Sequence, residues 1–578
     1  MAELSNRQVA SIFATVADML EIKGESIHRV LAYRRAAETI QELPRDLNAI
    51  YQEGTLTDLP GIGETLADKI EELLTTGELG FFNRLAEEIP PGVVDMLRVP
   101  GLGPKRVARF WKELGLTSID DLKGAAEAGR LRSLSGMGVK SEEKILEGIE
   151  SLARRTDRIS IGEAYPTARR ILGTLLNVEG ALKGETAGSL RRGRATIGDI
   201  DLLIASESPE PIMQAFVDLD EVARVLGHGP TKSSVELYNG QQVDLRVLPP
   251  ERYGTLLSYF TGSMEHNVRL RELALKKGLS LNEHGFVPVE GGDPILCATE
   301  EEVYATLGLP WIPPELREDR GEIEAAQAGT LPDLITLDDM RGDLQMHTTW
   351  SDGKKSVLEM GQAALARGYE YILITDHSHG LGIVQGLAPE DIPRQRAEID
   401  AANAELGGAI AILHGVEVEI KADGTLDYDD ETLAQFDIVQ ASLHTSLRQP
   451  REQITGRLLN AIHNPYVSII GHPRGQLIGR REPADLDMDA VFAAAAERDV
   501  ALEINANPQR LDLDDMHARR AVDLGVKLTI STDAHHPDEL DVMVYGVMTA
   551  RRGWVSADHV VNTWPLARVQ EWVKGRRP

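Results

Sequence analysis

Two groups of residues in this chain have types and spacings suited to chemistry. In the first, Gly188-Ser189-Leu190-Arg191-Arg192-Gly193 precedes Gly198-Asp199-Ile200-Asp201, followed by the apolar run Leu202-Leu203-Ile204-Ala205. The run reads as a strand. Alternate side chains share a face, so Asp199 and Asp201 point the same way. Carboxylates that close repel each other unless a cation lies between them. Hard divalent ions take such oxygens and share them with phosphates. The Gly-Ser turn offers N–H groups and a hydroxyl, and Arg191 and Arg192 offer guanidinium forks that match phosphate. Asp244, in the alternating run Val243-Asp244-Leu245-Arg246-Val247-Leu248, supplies a third carboxylate. A phosphate cradle beside three carboxylates is what two-metal phosphoryl or nucleotidyl transfer needs. A lone Asp-x-Asp would read as a solvated strand edge; the cradle and the third carboxylate reverse that reading.

The second group is rich in histidine. It comprises His347 with Asp352, His377, Glu417, His444, His472, and Asp533 with His535. Each follows or ends a short apolar run: 371–375 before His377, 410–413 before Glu417, 436–443 before His444, 467–471 before His472 and 528–531 before Asp533. Ala-rich helical text separates the runs. Parallel barrels place their working residues at that end of the strands. One histidine after a strand is an ordinary loop residue, but five strands delivering His, Asp and Glu to one face read as a metal cluster. Such a cluster acidifies water and suits a phosphoester substrate. Lys354, Arg448, Arg474 and Arg480 are candidates to hold its phosphate, each also readable as plain surface charge. Glu419, Glu503 and His414 read as supporting groups.

Upstream of both groups, residues up to about 79 read as short helices between Gly- or Pro-marked turns. The turn Leu59-Pro60-Gly61-Ile62-Gly63 opens a helix. It recurs as Val99-Pro100-Gly101-Leu102-Gly103-Pro104-Lys105-Arg106 and, less strictly, as Leu134-Ser135-Gly136-Met137-Gly138-Val139-Lys140. Three copies at a roughly constant spacing form an internal repeat. Glycines there let backbone N–H groups face outward at a helix N-terminus, an arrangement that binds phosphate whatever the base sequence.

The formal net charge is −30, unexpected for a nucleic-acid protein. It is unevenly spread: residues 98–198 carry 19 Lys+Arg and 12 Asp+Glu, a local +7, which leaves −37 elsewhere. A cationic track in an acidic body grips DNA along one groove and repels it elsewhere. A single cysteine, Cys297, excludes an internal disulfide and a Cys-ligated zinc site. With no signal-like N-terminus and no apolar run long enough to span a membrane, the expectation is a cytoplasmic protein.

The Gly188–Asp201 stretch with Asp244 resembles the nucleotidyltransferase palm of the family X DNA polymerases, the group that includes polymerase beta. The resemblance implies Asp199, Asp201 and Asp244 on two Mg²⁺ or Mn²⁺ ions, with Asp244 nearest the primer 3′-hydroxyl. It implies a nucleotide site of Gly188, Ser189, Arg192, Gly198 and Arg158. Tyr259-Phe260-Thr261-Gly262-Ser263 resembles the family's sugar-sensing wall, so Tyr259, Phe260 and Gly262 join that site, with Asn267 and Arg271 toward the base pair. The three turns resemble helix-hairpin-helix elements, which implies DNA contacts at Gly61, Gly63, Gly101, Gly103, Lys105, Arg106, Gly136 and Gly138, and a monovalent cation in a turn. Lys69 and Tyr33 match a lyase position of polymerase beta, where a lysine attacks a 5′-deoxyribose phosphate; Thr65 and Arg29 depart from that pattern. Lys69 reads either as that Schiff-base nucleophile or as a phosphate contact.

The segment from Gly342 resembles the PHP (polymerase and histidinol phosphatase) family, a distorted (β/α)7 barrel holding up to three metals, Zn²⁺ and/or Mn²⁺. Gln345 departs from that family's His-x-His. The whole chain is then similar to bacterial family X polymerases with a C-terminal PHP domain. The implied architecture is multidomain α/β and α+β: helical helix-hairpin-helix domains at 1–80 and 81–157, palm at 158–249, thumb at 250–317, solvated linker at 318–340 and barrel at 341–578. The implied activity is short-gap DNA synthesis in repair from deoxynucleoside triphosphates on gapped or primer-template DNA. With it come a 3′→5′ exonuclease or 3′-end processing and abasic-site cleavage, by a monomer. Rival readings make the barrel a small-molecule phosphatase or a metal-stabilised scaffold, or the first site a nucleotidyltransferase acting on RNA or small molecules.

Overall fold

The computed structural model describes residues 4, 6–43, 45–99, 102–154, 158–382 and 386–578. The chain forms two compact units, 1–157 and 158–578. Among the described residues of the first unit every regular element is helical, from Asn6–Lys23 to Val139–Arg154. One apolar core runs from Val9, Phe13 and Ile70 through Phe110 to Ile149, across both expected helical domains, 1–80 and 81–157. Helices this short bury too little surface to stand alone, so they pool their apolar faces.

The second unit begins with a five-stranded sheet. Its strand order is Lys183–Thr186, Ile200–Ala205, Gln242–Leu248, Lys232–Leu237, Val222–His228. Ile200–Ala205 and Gln242–Leu248 run parallel, with Asp201 directly opposite Asp244. Helix Ile161–Leu176 buries Ile161, Ala164, Ala168, Ile171, Leu172 and Leu175, a stripe of helical period, against this sheet. The next segment packs helices Tyr253–Thr261, Met264–Lys276 and Glu300–Thr306 around a hairpin, Leu279–Asn282 with Gly285–Pro288.

Beyond it, seven strands from Gly342–Met346 to Leu528–Ser531 run parallel and in sequence order. Met346 bridges to Ala534, so the last strand returns to the first and the barrel nearly closes. Strands covered on both faces are apolar throughout rather than alternating, and all five residues of Val467–Gly471 and of Ala501–Asn505 are buried.

The stretch 318–340 is not a solvated linker. Glu322 is fully buried and its carboxylate lies 2.6 Å from His266 Nδ1. Ile323, Ala326 and Leu334 complete the apolar core of the preceding segment, and Ile335 and Met340 enter that of the barrel. Acidic residues in a row suggested solvation; here cationic partners neutralise them, and the apolar residues between them are buried.

One buried ion cluster fixes this region. Glu300 takes both guanidinium arms of Arg191, each at 2.8 Å, and both arms of Arg317, at 2.6 and 3.1 Å. Burial opposes its charge, but Arg317 and Arg191 hold its carboxyl well below the usual carboxylate range. The stability it contributes is therefore complete above the unfolded carboxyl's pKa of about 4.3 and is lost as pH falls toward the folded value. Glu300→Ala strands the fully buried Arg317, and removing one partner of such a cluster costs about 3–5 kcal/mol. Denaturant titration of parent and variant at pH 7 checks this; a difference below about 1 kcal/mol would reduce the cluster to the value of a surface pair.

Candidate active sites

The carboxylate group assembles from the parallel strand pair. Its register sets Asp201 beside Asp244, and Asp199 lies just before the first of these strands. Burial and the charges of Asp199 and Asp244 push Asp201 up to about 7. A carboxyl raised by two neighbouring acids is suited to a divalent cation, which restores the charge balance. Lys232 Nζ, 3.4 Å from Asp244 Oδ2, offsets part of the repulsion, and Gln242 Nε2 donates to Asp244 Oδ1 at 2.9 Å. Gly188 has φ +59°, and a Cβ there would lie 2.4 Å from Asp201 Oδ2. Only glycine allows the phosphate-cradle turn to come that close.

Gly188 and Arg158, both expected at the nucleotide site, lie next to this triad. Arg158 donates from Nε to Thr196 Oγ1 at 2.8 Å and lies 3.4 Å from the Cβ position of Gly198. Burial and the neighbouring Arg194 lower its pKa, while Asp199 pulls it back up. Ser189 is half-buried on the short helix Gly188–Arg191. Tyr259, Asn267 and Arg271 line one small cavity, and Asn267 Nδ2 donates to Tyr259 O at 2.7 Å. Phe260 lies under the Arg246 guanidinium at 4.0 Å.

The two adjacent arginines differ in role. Arg191 is consumed by Glu300, so it is a structural tie rather than a phosphate fork. Arg192 lies beside Gly262, whose Cβ position is 3.1 Å from its Nη1, and bonds Thr261 O at 2.5 Å and Glu318 Oε1 at 3.0 Å.

All eight expected histidine-cluster residues converge at the C-terminal ends of the barrel strands. Glu417 is the hub. Its Oε1 lies 2.9 Å from His472 Nε2 and 3.3 Å from His444 Nε2; its Oε2 lies 3.0 Å from His377 Nδ1 and 3.6 Å from His347 Nε2. Asp533 Oδ1 is 3.1 Å from His347 Nε2, and Asp352 Oδ1 is 3.3 Å from His535 Nε2. Two sets have metal-ligand spacing: His347, Asp352, His377 and His535, and His377, Glu417 and His444.

Both oxygens of Glu417 and Nδ1 of His347, His377 and His472 are buried without a hydrogen bond of good geometry. Buried polar atoms are seldom left so, and this donor set fits metal ions. Burial and the Arg510 charge push His472 down to about 4, favouring the neutral imidazole that binds metal. His472 and Asp533 both have left-handed backbone, at φ +26° and +57°. Strain of this kind costs about 1–3 kcal/mol per residue and is typical of functional loops.

Glu419 Oε2 lies 2.7 Å from His444 Nδ1 and so turns the other ring nitrogen toward Glu417. Glu503 accepts from the His472 backbone N–H at 2.7 Å, and His414 Nε2 pairs with Gln395 Oε1 at 2.8 Å, both supporting roles. Gln345 is fully buried and its amide atoms have no partner among the described residues. Of the candidate phosphate cations, Arg474 is paired with Asp514, while Lys354, Arg448 and Arg480 are exposed. Sequence reasoning missed Arg510, whose Nε lies 3.5 Å from Asp533 Oδ2. The usable signal was its place just after an apolar run, 500–504.

In the helical unit, Lys69 Nζ and the Arg29 guanidinium lie 5.1 and 5.3 Å from the centre of the Phe81 ring, on which Tyr33 stacks. Gly61 and Gly136 take φ +77° and +79°, open to glycine. Gly63 and Gly103 cap helices Glu64–Thr76 and Pro104–Leu114, and Gly138 immediately precedes Val139–Arg154. Lys105 and Arg106 are exposed on the first turn after Gly103. Gly101 lies outside the described residues.

Four family models match: a helix-hairpin-helix domain over residues 4–79, a SAM-like helix-hairpin-helix tandem over 93–151, the DNA polymerase beta thumb over 256–318 and the PHP domain over 343–507. The chain is 40% identical over 573 residues to the Bacillus subtilis DNA polymerase/3′-5′ exonuclease PolX, covering 99% of this chain and all of that one. It is also 26% identical to DNA polymerase lambda of Rattus norvegicus over 352 residues, 55% of this chain and 58% of that one. The Arabidopsis thaliana DNA polymerase lambda matches at 26% over 345 residues, 54% of this chain and 62% of its own.

Metal binding should be measurable as stability. In a chain carrying Asp199→Ala and Asp201→Ala, Mn²⁺ at about 100 times its dissociation constant adds about 2.7 kcal/mol through one site. Thermal unfolding with Mn²⁺ and after chelation measures the gain, and Glu417→Gln should abolish most of it. An undiminished gain in the Gln variant would show that the ions bind elsewhere.

Proposed function

The chain belongs to the family X DNA polymerases that carry a C-terminal PHP domain, and from that membership we propose two active sites on one repair enzyme. It is a DNA polymerase and a 3′→5′ exonuclease; short-gap filling during repair is the role that suits this pair. The observation that carries the reading is the presence in one chain of two unlike sites, an Asp201 carboxyl raised by burial and by Asp199 and Asp244, and His, Asp and Glu side chains around Glu417 with metal-ligand spacing. Its substrates are DNA and deoxynucleoside triphosphates. Among the described residues no helix is long and apolar enough to cross a membrane. The monomer is the working unit of this reading, and the cytoplasm its place.

For synthesis, Asp199, Asp201 and Asp244 hold Mg²⁺ or Mn²⁺, and the histidine cluster holds up to three Zn²⁺ or Mn²⁺ ions. When bound, such ions neutralise charge on phosphate oxygens and acidify water. The protein's own groups orient the reactants. Gly188, Ser189, Gly198, Arg158 and Arg192 receive the triphosphate, Asp244 takes the proton of the primer 3′-hydroxyl, and Tyr259, Phe260 and Gly262 wall the sugar. Asn267 and Arg271 sit toward the base. The turns at Gly61, Gly63, Gly103, Gly136 and Gly138, with Lys105 and Arg106, hold DNA phosphates independently of sequence; Gly101 of the same repeat joins them by its sequence position, and a monovalent cation occupies a turn. In the barrel, Glu419 orients His444 and the cluster receives the terminal phosphodiester, abasic sites included.

A 5′-labelled primer on a gapped template with Mn²⁺, with and without triphosphates, tests the assignment. Asp199→Ala/Asp201→Ala should lose extension by at least about 100-fold yet still shorten the primer, and His347→Ala/His472→Ala should do the reverse. Shortening that survives the histidine changes would remove the barrel from the nuclease role and favour a scaffold.

Lys69 shares the Phe81 ring with Arg29 at the position that matches the lyase lysine, where an amine can attack a sugar aldehyde as a Schiff-base nucleophile. Lys69 is therefore assigned 5′-deoxyribose phosphate lyase activity. Borohydride should trap a covalent adduct between the parent and an incised abasic substrate, and Lys69→Ala should abolish it; equal trapping in the variant would make Lys69 a phosphate contact.

A further inference from the structure

The loop 506–511 leaves the C-terminal end of barrel strand Ala501–Asn505, on the face that carries the histidine cluster. Arg510 on this loop has an unusual environment for an arginine. Its side chain is only 17% exposed, and its one close ionic contact among the described residues is Asp533 Oδ2, 3.5 Å from Nε. Its Nη1 is buried and makes no hydrogen bond to any described residue. The buried structural Arg317, by contrast, spends both arms of its fork on Glu300. Arg510 is therefore poorly explained as a counter-ion of Asp533 alone.

Its surroundings favour an anion. Burial and then the Arg510 charge lower the pKa of Arg481, Asp512 pulls it partly back and Arg448 lowers it again, so Arg481 feels two further guanidiniums and one acid. Such a grouping is stabilised by a phosphate between the forks.

The loop cannot easily move Arg510 away. Arg510 N–H donates to Asn507 O, Gln476 Nε2 donates to Arg510 O, and Ile478 N–H donates to Gln509 O, each at 2.7 Å. Ser160 Oγ of the polymerase domain donates to Pro508 O at 3.1 Å, and Leu511 is buried in that domain's apolar core. The backbone that carries Arg510 is thus tied on both sides, and its buried Nη1 has no hydrogen-bond partner among the described residues.

We propose that Arg510 is a further catalytic residue of the exonuclease, gripping a non-bridging oxygen of the 3′-terminal phosphodiester with the unspent Nη1 donor. This rests on the histidine cluster being the nuclease site. Water adds across the phosphodiester, leaving a 3′-hydroxyl on the shortened strand and releasing a nucleoside 5′-monophosphate. Arg510 moves no proton in this reaction; it keeps the phosphoryl charge paired as it grows.

The test compares the full-length parent, Arg510→Gln, Arg510→Lys and His347→Ala/His472→Ala. Primer shortening in Mn²⁺, primer extension and bound manganese are measured for each. Calorimetry gives the affinity of thymidine 5′-monophosphate for the Mn²⁺-loaded chain, in an Asp199→Ala/Asp201→Ala background that silences the polymerase site. Arg510→Gln should lower shortening by about 100-fold and weaken monophosphate binding at least about tenfold, with extension and manganese content at parent levels. Arg510→Lys should recover part of both losses. Parent-like shortening and monophosphate affinity in Arg510→Gln would overturn the proposal. So would loss of manganese along with activity, which would make Arg510 a structural counter-ion. Shortening that survives the histidine changes would overturn the site assignment itself, whatever the arginine variants do.

Discussion

A carboxylate taken out of water must be matched by cations, and Glu318 shows what this chain builds around that constraint. It is met by Arg192 of the nucleotide cradle at 3.0 Å and by Arg552 of the barrel at 2.8 Å, with Arg194 at 3.8 Å. Burial opposes its ionisation, and these arginines hold its carboxyl far below the usual range. Arg552 continues the network, donating to Arg192 O at 2.8 Å and pairing with Asp515 at 2.9 Å, which Arg320 also reaches. One carboxylate thereby joins three stretches of chain widely separated in sequence. Breaking any partner leaves an unpaired buried charge, so the position of Arg192 depends on the barrel.

The same requirement, unmet, marks the places built for ligands. Glu318, Glu300 and Glu322 have their partners inside the protein. Asp201 does not: the strongest charges acting on it are further acids, and its pKa rises to about 7. Glu417 is encircled by imidazoles yet makes no well-formed hydrogen bond. A chain of net charge −30 has acids to spare, and the contrast between satisfied and unsatisfied buried acids separates scaffold from site more sharply than residue type does.

This contrast explains what could be read from the sequence. The catalytic face of the barrel was legible because strand-end placement is local: an apolar run followed by His, Asp or Glu survives folding unchanged. The Asp199, Asp201 and Asp244 set was legible for a similar reason, since alternation along two short strands fixes which side chains share a face. The fate of 318–340 was not. Glu318 looks solvated until Arg192 and Arg552, 126 and 234 residues away, come into contact with it. Glu322 likewise waits for His266, 56 residues away. Arg191 and Arg192 were indistinguishable as adjacent letters; only the fold gives Glu300 to one and Glu318 to the other. Nor could short helices reveal that residues 1–157 share a single core, because pooled burial is a property of the packed state.

The seam between polymerase domain and barrel is more than adhesion. Leu511 and Tyr545, from the barrel segment, belong to the same buried cluster as Ile161, Leu202 and Leu245 of the polymerase domain. Gly162 sits where a Cβ would be 2.5 Å from Pro508 Cγ, so the helix that begins beside the nucleotide cradle rests directly on the loop that carries Arg510. Cores fused in this way transmit displacement, because packed interiors have little free volume to absorb it. Helix Ile161–Leu176 and the loop 506–511, which carries Arg510 beside Asp533, therefore stand on one packed wall, so a larger side chain at position 162 would be felt on both sides of it.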